Sequence, residues 1–257
     1  MTELHRPASG RVLRIAHRGG AGIAPENTLA AFRQAIDVGV DFVEFDVFDL
    51  DDGTLVVAHS DDLLEVSHGA ARGRVSPLAL ADLRRAAPDV PLLDEALAFF
   101  ASTEVGLHLD VKCHRHGGEV AAALRRHGLL DRAVASSFWV QALRDLRAME
   151  PRLAIGITYP EDRHGLARRR LLAPLVPGTV RLLGRALPYR LPRMLRTTGA
   201  SIAMLHYAVL SRAAVGRCHA AGAAVWAWTV NEPGVLQEAM SLGVDGVISD
   251  DPRLFLQ

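Results

Sequence analysis

The residues that could do chemistry are concentrated between positions 42 and 59, in the run FVEFDVFDLDDGTLVVAH. Glu44 and Asp46 alternate there with apolar residues, and because side chains of a β-strand alternate between its two faces, both carboxylates point to one side. An Asp-Asp-Gly turn then returns the chain along a second apolar run to His59. Two acids on one strand face repel each other unless a cation lies between them, and a hard divalent metal ion is the simplest candidate. The alternative is a solvated strand face with a surface histidine.

Further polar side chains follow other short apolar runs. His17 and Arg18 come directly after the first run, where two glycines allow a sharp turn. A later run carries Asp110 and Lys112 on one face, and His206 ends another. These candidates therefore occupy the carboxyl ends of several different predicted strands, which is where a parallel barrel places its active site.

The elements that must position these residues alternate along the chain. We predict strands at 12–16, 42–59 (with its return), 105–111, 133–138, 153–158, 201–206, 224–230 and 246–248. We predict helices at 29–39, 77–86, 92–102, 118–127, 140–149, 211–221 and 232–241, and a loop at 60–75. Eight strand–helix units predict an α/β fold with a closed parallel sheet, the (β/α)8 or TIM barrel. An open doubly wound sheet is the competing architecture, but no glycine-rich dinucleotide fingerprint follows the first strand.

The composition of the chain argues against several classes of function. The 257 residues carry a formal net charge of zero, so no global field recruits nucleic acid. The two cysteines form neither a disulfide framework nor a zinc motif. Residues 1–14 lack the apolar core of a signal peptide and no apolar run is long enough to span a bilayer, so we expect neither a signal peptide nor a membrane-spanning segment. We therefore expect one cytoplasmic domain over 1–257 with a loose arm at 1–11.

The segment 161–198 differs from the rest of the chain because it is rich in arginine, with Glu161 and Asp162 as its only acids. A basic segment interleaved with apolar residues can lie on an anionic lipid surface, which would make lysophospholipids candidate substrates. The alternative is a loop or helix whose arginines are simply solvated.

Several motifs occur in a defined order: HRGG, PENT, VEFDV, DG-LVVAH, a carboxylate-x-Lys strand, AWTVN and GVDGVISDDP. In this order, from His17 to Pro252, the sequence resembles the glycerophosphodiester phosphodiesterase family. The resemblance implies a TIM barrel that hydrolyses glycerophosphodiesters to glycerol 3-phosphate and an alcohol with the help of a divalent metal ion. A small-molecule phosphodiester is then the expected partner, and nucleic acid is not.

The resemblance also implies roles for particular residues. His17 and His59 match the general acid/base pair of the family, and Glu44 and Asp46 match two ligands of Mg²⁺ or Ca²⁺. The third ligand is usually the Glu of a Glu-x-Lys strand, and here Asp110 stands in its place. Because Asp is one methylene shorter than Glu, the ion must lie nearer this strand or be bridged by a water.

The remaining candidates concern the substrate. By resemblance, Arg18 and Lys112 match cationic phosphate contacts and Trp228 matches a residue of the substrate pocket. His206 ends its strand on the same rim and is a further candidate substrate contact. The chain departs from the family where Ser60 replaces the Asp that often follows the second histidine, and in the loop after it, which leaves the natural substrate open.

Nearby polar residues are expected to serve the structure. Glu26 and Asn27 would begin a helix, with Glu26 bracing Arg18, and Asp250 and Asp251 would hold the last turn. His108 would be a hydrogen-bonded core histidine. Three other readings stay open: a lysophospholipase D, attack by the glycerol hydroxyl to give a cyclic phosphate, and an inactive phosphodiester-binding barrel.

Overall fold

Eight short strands rich in buried Val, Ile, Leu and Ala pair in parallel and close into a barrel, which confirms the predicted α/β fold. The computed structural model describes residues 3–114, 116–160 and 176–256. The first strand pairs with both the second and the last, which closes the sheet. The strands are β1 (Leu13–Ala16), β2 (Phe42–Asp49), β3 (Leu55–Val57), β4 (Gly106–Val111), β5 (Ala133–Ser137), β6 (Ala154–Tyr159), β7 (Ile202–His206), β8 (Ala224–Trp228) and β9 (Gly246–Ser249).

One strand stands outside the barrel. β3 runs antiparallel to the end of β2, as predicted for the hairpin return, with Val47 opposite Val57. The segment that follows packs a small cluster of its own beside this hairpin, built on Leu50, Val56 and Leu83. It contains a one-turn helix, Leu63–Val66, inside the predicted loop at 60–75.

Helices follow the strands and cover the outside of the barrel. Within the described residues they are α1 (Leu29–Val38), α2 (Leu63–Val66), α3 (Leu80–Ala86), α4 (Leu93–Ala101), α5 (Gly117–Arg126), α6 (Val140–Met149), α7 (Val176–Thr198), α8 (Arg212–Ala220) and α9 (Pro233–Leu242). Helix α1 shows how local sequence sets the bounds. The side chain of Thr28 accepts a hydrogen bond from the Ala31 amide at the amino end, and Gly39 ends the helix in a left-handed conformation.

The side chains of each strand alternate between two apolar clusters, one outside the barrel and one inside it. Their outward side chains pack against the helices, where Phe45 stacks on Phe100 with ring centroids 5.5 Å apart. Their inward side chains fill the lower half of the barrel, where Phe42 meets Trp226 edge-on at 4.8 Å. The half of the barrel toward the carboxyl ends of the strands is not filled by this cluster and contains a cavity lined by polar and apolar residues. The barrel is thus packed at the amino ends of its strands and open at their carboxyl ends.

Two of the helix–strand corners repeat the same sequence, Gly-Val-Asp, before β2 and before β9. The glycines, Gly39 and Gly243, have φ of 86° and 89°, a conformation that an L side chain rarely adopts. The amides of Asp41 and Asp245 then donate to the neighbouring strands, to the carbonyls of Arg14 and Val225. Both carboxylates are therefore placed at the amino-terminal end of the barrel.

The arginine-rich segment is partly helical. Residues 161–175 lie outside the described residues, and 176–198 form α7, although Pro188 and Pro192 lie inside it. Leu187, Leu191 and Leu195 recur every fourth residue and are buried against the barrel. No helix in the described part of the chain has the length and apolar character needed to cross a bilayer.

The amino-terminal arm has no regular secondary structure over residues 3–10 but is not loose. The indole of Trp226 donates to the Leu4 carbonyl at 3.0 Å, which ties the arm to the barrel interior. The guanidinium of Arg6 donates to the carbonyl of Val244 at 2.7 Å. Hydrogen bonds to distant residues, which sequence patterns do not report, therefore fix this segment.

Candidate active site

Three acidic side chains meet at the carboxyl end of the barrel because of strand register. Glu44 and Asp46 lie two residues apart on β2 and share a face. On the adjacent β4, Asp110 lies opposite Asp46, and His108 lies opposite Glu44. One oxygen of each of the three carboxylates lies within 4.8 Å of the others, so the cluster could hold a metal ion.

The cluster is short of positive charge. Burial, followed by the charges of Asp46 and Asp110, raises the pKa of Glu44 well above its ordinary value. Burial alone would also raise the pKa of Asp46. The cationic groups of Lys112, His59 and Arg18 outweigh burial there and hold that pKa well below its usual range. The three acids therefore do not ionise together without penalty.

Lys112 directly follows β4 and lies between two of the acids. Its Nζ is 2.9 Å from Oδ1 of Asp46 and also contacts Oδ2 of Asp110. Burial opposes the charge of the ammonium, but Asp110 and Asp46 more than offset it and raise the pKa of Lys112. Lys112 is therefore a permanent cation at the base of the site.

Arg18 is held from several sides in a turn after β1. Its φ of 52° is uncommon for a residue with a side chain, and its amide donates to Oε2 of Glu44 at 2.5 Å. Glu26 accepts from its Nη1 at 2.8 and 3.0 Å, which confirms the predicted brace. The buried Nε has no hydrogen-bond partner among the described residues. Arg18 therefore combines a strained backbone, a guanidinium held by Glu26 and one N–H donor without a hydrogen-bond partner. Backbone strain of this kind is concentrated at binding and active sites.

The sequence predicted that Asn27 helps to begin helix α1, but its side chain does not cap that helix. Its φ is 58°, and its side chain faces the site. The amide Nδ2 donates to Oδ2 of Asp46 at 2.9 Å, and Oδ1 accepts from the Asp46 amide at 3.1 Å. Thr28 takes the capping role instead. Asn27 thus fixes the carboxylate of Asp46 from behind.

His17 is oriented by an acid that follows the last strand. Its Nδ1 lies 2.5 Å from Oδ1 of Asp250. Because a carboxylate only accepts, Nδ1 carries the hydrogen, and Nε2, 4.0 Å from Oε2 of Glu44, keeps its lone pair in the neutral ring. Asp250 and Asp251 were both expected to hold the last turn. Asp251 does so by accepting from the Arg253 amide at 3.0 Å, whereas the carboxylate of Asp250 contacts His17.

His59 has the same kind of partner from a different element. Its Nδ1 lies 2.8 Å from Oε1 of Glu65 on helix α2. Ser60, the departure from the family pattern, donates to the other oxygen of Glu65 at 2.7 Å. The hydrogen bond from His59 is the main reason that the pKa of Glu65 falls to about 2, although burial opposes it. Glu65 is therefore ionised and keeps Nδ1 of His59 protonated.

His108 lies below the acids and is a hydrogen-bonded core histidine, as predicted. Its Nε2 is 2.8 Å from Oγ of Ser136, and Ser136 donates to Oδ1 of Asp110 at 3.0 Å. Burial lowers the pKa of His108 to about 4, so the ring is neutral at pH 7. The pair orients Asp110 from the next strand.

These groups surround a cavity of about 590 Å³ that opens at the carboxyl end of the barrel. One wall is charged and includes His17, Arg18, His59 and Lys112. The opposite wall is apolar and includes Phe138, Trp139, Pro160, Met204 and Trp228. A cavity with one wall of each kind suits a ligand that has an anionic part and an uncharged part.

The two predicted substrate contacts on β7 and β8 differ in position. Trp228 lines the cavity, and its indole donates to the Met204 carbonyl at 3.0 Å. His206 is not among the residues that line it. Its ring packs edge-on against Trp228 at 5.0 Å, and its Nδ1 accepts from the Ala208 amide at 3.2 Å. The geometry gives His206 contact with Trp228 rather than with the cavity.

The chain is similar in sequence and in structure to proteins of a known family. The model of the glycerophosphoryl diester phosphodiesterase family matches residues 17–254. The chain belongs to this family. It is 26% identical, over 96% of its length and 97% of the other chain, to a glycerophosphodiester phosphodiesterase of Caldanaerobacter subterraneus subsp. tengcongensis.

Solved structures agree with this assignment. A phosphodiesterase of Oleispira antarctica, solved with the product sn-glycerol-3-phosphate, is 27% identical and has a TM-score of 0.73, with 93% of each chain covered. A structure from Silicibacter pomeroyi that is named for the same family is 25% identical with a TM-score of 0.77, covering 98% of this chain and 93% of the other. The chain is thus a TIM barrel from a family of phosphoric diester hydrolases.

In this member of the family, the sequence did not predict the supporting roles of Glu65, Ser136 and Asp250. Glu65 lies in the loop that departs from the family pattern, and only its spacing from His59 within one short connection hints at contact. Ser136 could have been found from register, since it lies opposite Asp110 on β5. Asp250 directly follows β9, which is a neighbour of β1, the strand that His17 follows.

The solvent side of the arginine-rich helix is basic. Arg181, Arg185, Arg193 and Arg196 are exposed on α7, and no acid lies between 176 and 198. Two large apolar side chains are also exposed on this helix, Leu182 at 68% and Tyr189 at 81%. The described part of the segment is therefore both basic and apolar on its solvent side.

Proposed function

We propose that this chain hydrolyses glycerophosphodiesters to glycerol 3-phosphate and an alcohol in a reaction that depends on a divalent metal ion and on His17 and His59. The observation that carries the proposal is the cluster of Glu44, Asp46 and Asp110 beside two imidazoles whose Nδ1 atoms are each held by a carboxylate. A barrel that only bound phosphodiesters would not need two oriented imidazoles.

The donor set of the cluster fits a hard cation. All three donors are carboxylate oxygens, which Mg²⁺ and Ca²⁺ prefer. Two cations, Lys112 and Arg18, face three acids, and Arg18 is shared with Glu26 and Glu65. Burial is the main cause of the raised pKa of Glu44, and the charges of Asp46 and Asp110 raise it further, so a bound cation would favour the ionised form. When bound, the ion would reduce the repulsion that an anionic phosphodiester presents to a nucleophile and would stabilise charge developing in the transition state.

Arg18 and Lys112 are proposed to hold the phosphate. The Nε of Arg18 has no hydrogen-bond partner among the described residues and lies 3.6 Å from Oδ2 of Asp46, so it is a donor that a phosphate oxygen could accept while Glu26 keeps Nη1. Lys112 acts as a point charge beside Asp46 and Asp110. The two cations would thus bind the phosphate from the same charged wall that holds the acids.

His17 and His59 are proposed to move the protons. With Nδ1 committed to Asp250 or Glu65, each ring presents Nε2 as its reactive atom. One Nε2 takes the proton of the attacking water or glycerol hydroxyl, and the other, protonated, gives a proton to the departing alkoxide of the alcohol. Each group of this kind typically supplies about a hundred- to ten-thousandfold in rate.

The apolar wall is proposed to hold the alcohol side of the substrate. Trp228 supplies a flat surface there, and His206 supports it from behind, so the proposed role of His206 is to position Trp228. The glycerol 3-phosphate bound to the Oleispira antarctica enzyme indicates the phosphate-bearing half of the substrate. The identity of the alcohol would then depend on Phe138, Trp139 and Trp228.

A single assay tests the proposal. Release of glycerol 3-phosphate from glycerophosphocholine is measured after treatment with a chelator and again after addition of Mg²⁺ or Ca²⁺. We expect activity to be lost with the chelator and restored by one of the two ions. Equal turnover with and without chelator refutes the metal requirement, and complete absence of turnover with either ion favours the binding barrel. A glycerol cyclic phosphate among the products assigns the attack to the glycerol hydroxyl.

The basic face of α7 favours a second candidate, lysophospholipase D activity at the same site. Arginines with exposed Leu182 and Tyr189 suit an anionic lipid interface, and the apolar cavity wall suits an acyl chain. Release of choline from lysophosphatidylcholine would support it. Cosedimentation with vesicles containing anionic lipid should exceed that with neutral vesicles, and Arg181→Glu/Arg185→Glu should remove the difference. Equal binding to both vesicles contradicts the lipid role.

A further inference from the structure

A second cluster of metal-binding side chains lies at the opposite, amino-terminal end of the barrel. The carboxylate of Asp245, whose side chain is 6% exposed, lies between two imidazoles. Nε2 of His219 is 2.8 Å from one carboxylate oxygen, and Nδ1 of His5 is 3.6 Å from the other. One donor atom of each residue lies within 4.8 Å of the others. The proposed hydrolysis uses none of the three.

The equivalent corner before β2 shows what is unusual here. Asp41 and Asp245 both follow Gly-Val, and each carboxylate accepts a backbone amide of the neighbouring strand at 2.8 Å. Asp41 is also held by the guanidinium of Arg11 through two hydrogen bonds of 2.6 and 2.7 Å. Asp245 has two imidazoles in the place of that guanidinium.

The difference leaves a buried carboxylate without a permanent counter-charge. Among the described residues, the ion-pair partners of Asp245 are His5 and His219, and an imidazole is charged only when it is protonated. The amide of Arg6 donates to Oδ1 of Asp245 at 3.0 Å, but its guanidinium donates to the carbonyls of Val244 and Met240 instead. A buried carboxylate is costly unless a cation or sufficient hydrogen bonds offset its charge.

We propose that His5, His219 and Asp245 form a binding site for a divalent transition metal ion of the Zn²⁺ class. Two imidazole nitrogens and one carboxylate oxygen are the donors that such ions prefer, whereas Mg²⁺ and Ca²⁺ prefer oxygen alone. The side chains of His5 and His219 are 52% and 39% exposed, so they can rotate toward a shared ion. The exposed side leaves a position for water as the fourth ligand.

The ion would join three separate parts of the chain. His5 belongs to the amino-terminal arm, His219 to the last turn of α8, and Asp245 to the corner before β9. The arm already covers Trp226 through the hydrogen bond to Leu4. The site is therefore structural, and its occupancy would hold the arm against the closed end of the barrel.

The test is a titration of the full chain with ZnCl2 by calorimetry, in saturating Mg²⁺ so that the acidic cluster is occupied. We compare the wild-type protein with His5→Ala and His219→Ala. The matched control is His127→Ala, because Nε2 of His127 also contacts a carboxylate, that of Asp94 at 2.9 Å, but without a second imidazole. A spectrum of the Co²⁺-loaded protein gives a second readout, since nitrogen ligands change the visible absorption of Co²⁺.

We expect the wild type and the control to bind one more equivalent of Zn²⁺ than His5→Ala and His219→Ala. Loss of a ligand should weaken binding at least as much as loss of an outer partner does, about 10- to 100-fold. Zn²⁺ should also raise the Tm of the wild type more than that of His5→Ala. Equal stoichiometry and affinity in all four proteins overturns the proposal. A Tm that Zn²⁺ raises equally in the wild type and in His5→Ala, or does not raise in either, also overturns the proposal.

Discussion

The two ends of the barrel use acidic residues in opposite ways. At the carboxyl end, Glu44, Asp46 and Asp110 are buried side by side, and their charges act on one another. At the amino end, Asp41 and Asp245 stand apart, each after a Gly-Val corner and each accepting a backbone amide. The carboxyl end therefore concentrates charge at a cost in folding free energy, and the amino end uses charge to fasten the chain.

We expect substitutions at the two ends of the barrel to affect different properties. Changes at the carboxyl end should reduce turnover while leaving stability unchanged or improved. Changes at the amino end should reduce stability while leaving turnover unchanged. Both ends belong to the same barrel, so a difference between the effects of their substitutions comes from the side chains rather than from the fold.

The largest effect is expected from the two imidazoles. His17→Ala and His59→Ala should each lower kcat on glycerophosphocholine by about 10²–10⁴, because each removes a proton-transfer group. Circular dichroism melts should give a Tm close to that of the wild type. His127→Ala, on the surface beside Asp94, is the control and should keep full activity. Near wild-type kcat in either active-site variant contradicts the assignment.

A smaller loss is expected from the acids that orient these imidazoles. Asp250→Asn and Glu65→Gln keep the size of the side chain but offer an amide to Nδ1, so the favoured tautomer is lost. We expect kcat to fall by roughly 10–100-fold, the range seen for outer hydrogen-bond partners. Asp251→Asn, which alters only the last turn, is the matched control for Asp250. Equal losses in Asp250→Asn and Asp251→Asn would show that the turn matters and the orientation of His17 does not.

Stability should change with pH in opposite directions for acidic residues at the two ends of the barrel. Glu44 is the example at the carboxyl end. Its pKa in the folded protein is raised above the ordinary 4.5, so the metal-free folded state binds more protons than the unfolded chain above that pH. Stability of metal-free wild type should therefore fall as the pH rises above 4.5, and Glu44→Gln should escape this loss. We expect the variant to melt about 2–4 °C higher at pH 8, the shift that 1 kcal/mol gives in a large domain. A lower Tm for the variant in chelator contradicts the charge argument.

Asp41 gives the opposite sign. Burial would raise its pKa, but the hydrogen bonds from Arg11 and the Arg14 amide outweigh burial and hold it below the ordinary 3.8. Its contribution to stability is therefore present above pH 3.8 and is lost as the pH falls through the folded-state pKa. Asp41→Asn should cost about 1.5–3 kcal/mol in urea unfolding at pH 7, the range for hydrogen bonds to charged groups. The difference from wild type should shrink below pH 3.8, and kcat at pH 7 should not change.

The fold was largely predictable because the barrel repeats one local pattern. A run of Val, Ile and Leu with a helix after it reads the same way at each repeat, and the predicted bounds differ from the observed ones by a few residues. The segment 176–198 was harder, because Pro188 and Pro192 interrupt the pattern of a helix that tertiary burial of Leu187, Leu191 and Leu195 holds in place. The amino-terminal arm was misjudged because its hydrogen bonds reach residues more than 200 positions away.

The sequence alone determined the strand–helix order, the family and the presence of Glu44 and Asp46 on one strand face, because these depend on local periodicity and on motifs. Only the tertiary structure decided which acid faces which histidine. Asp250 reaches His17 because β9 pairs with β1, and Glu65 reaches His59 because α2 folds back across the hairpin. Closing the barrel brings together residues far apart in the chain, and the charges that then face one another at its two ends set the chemistry.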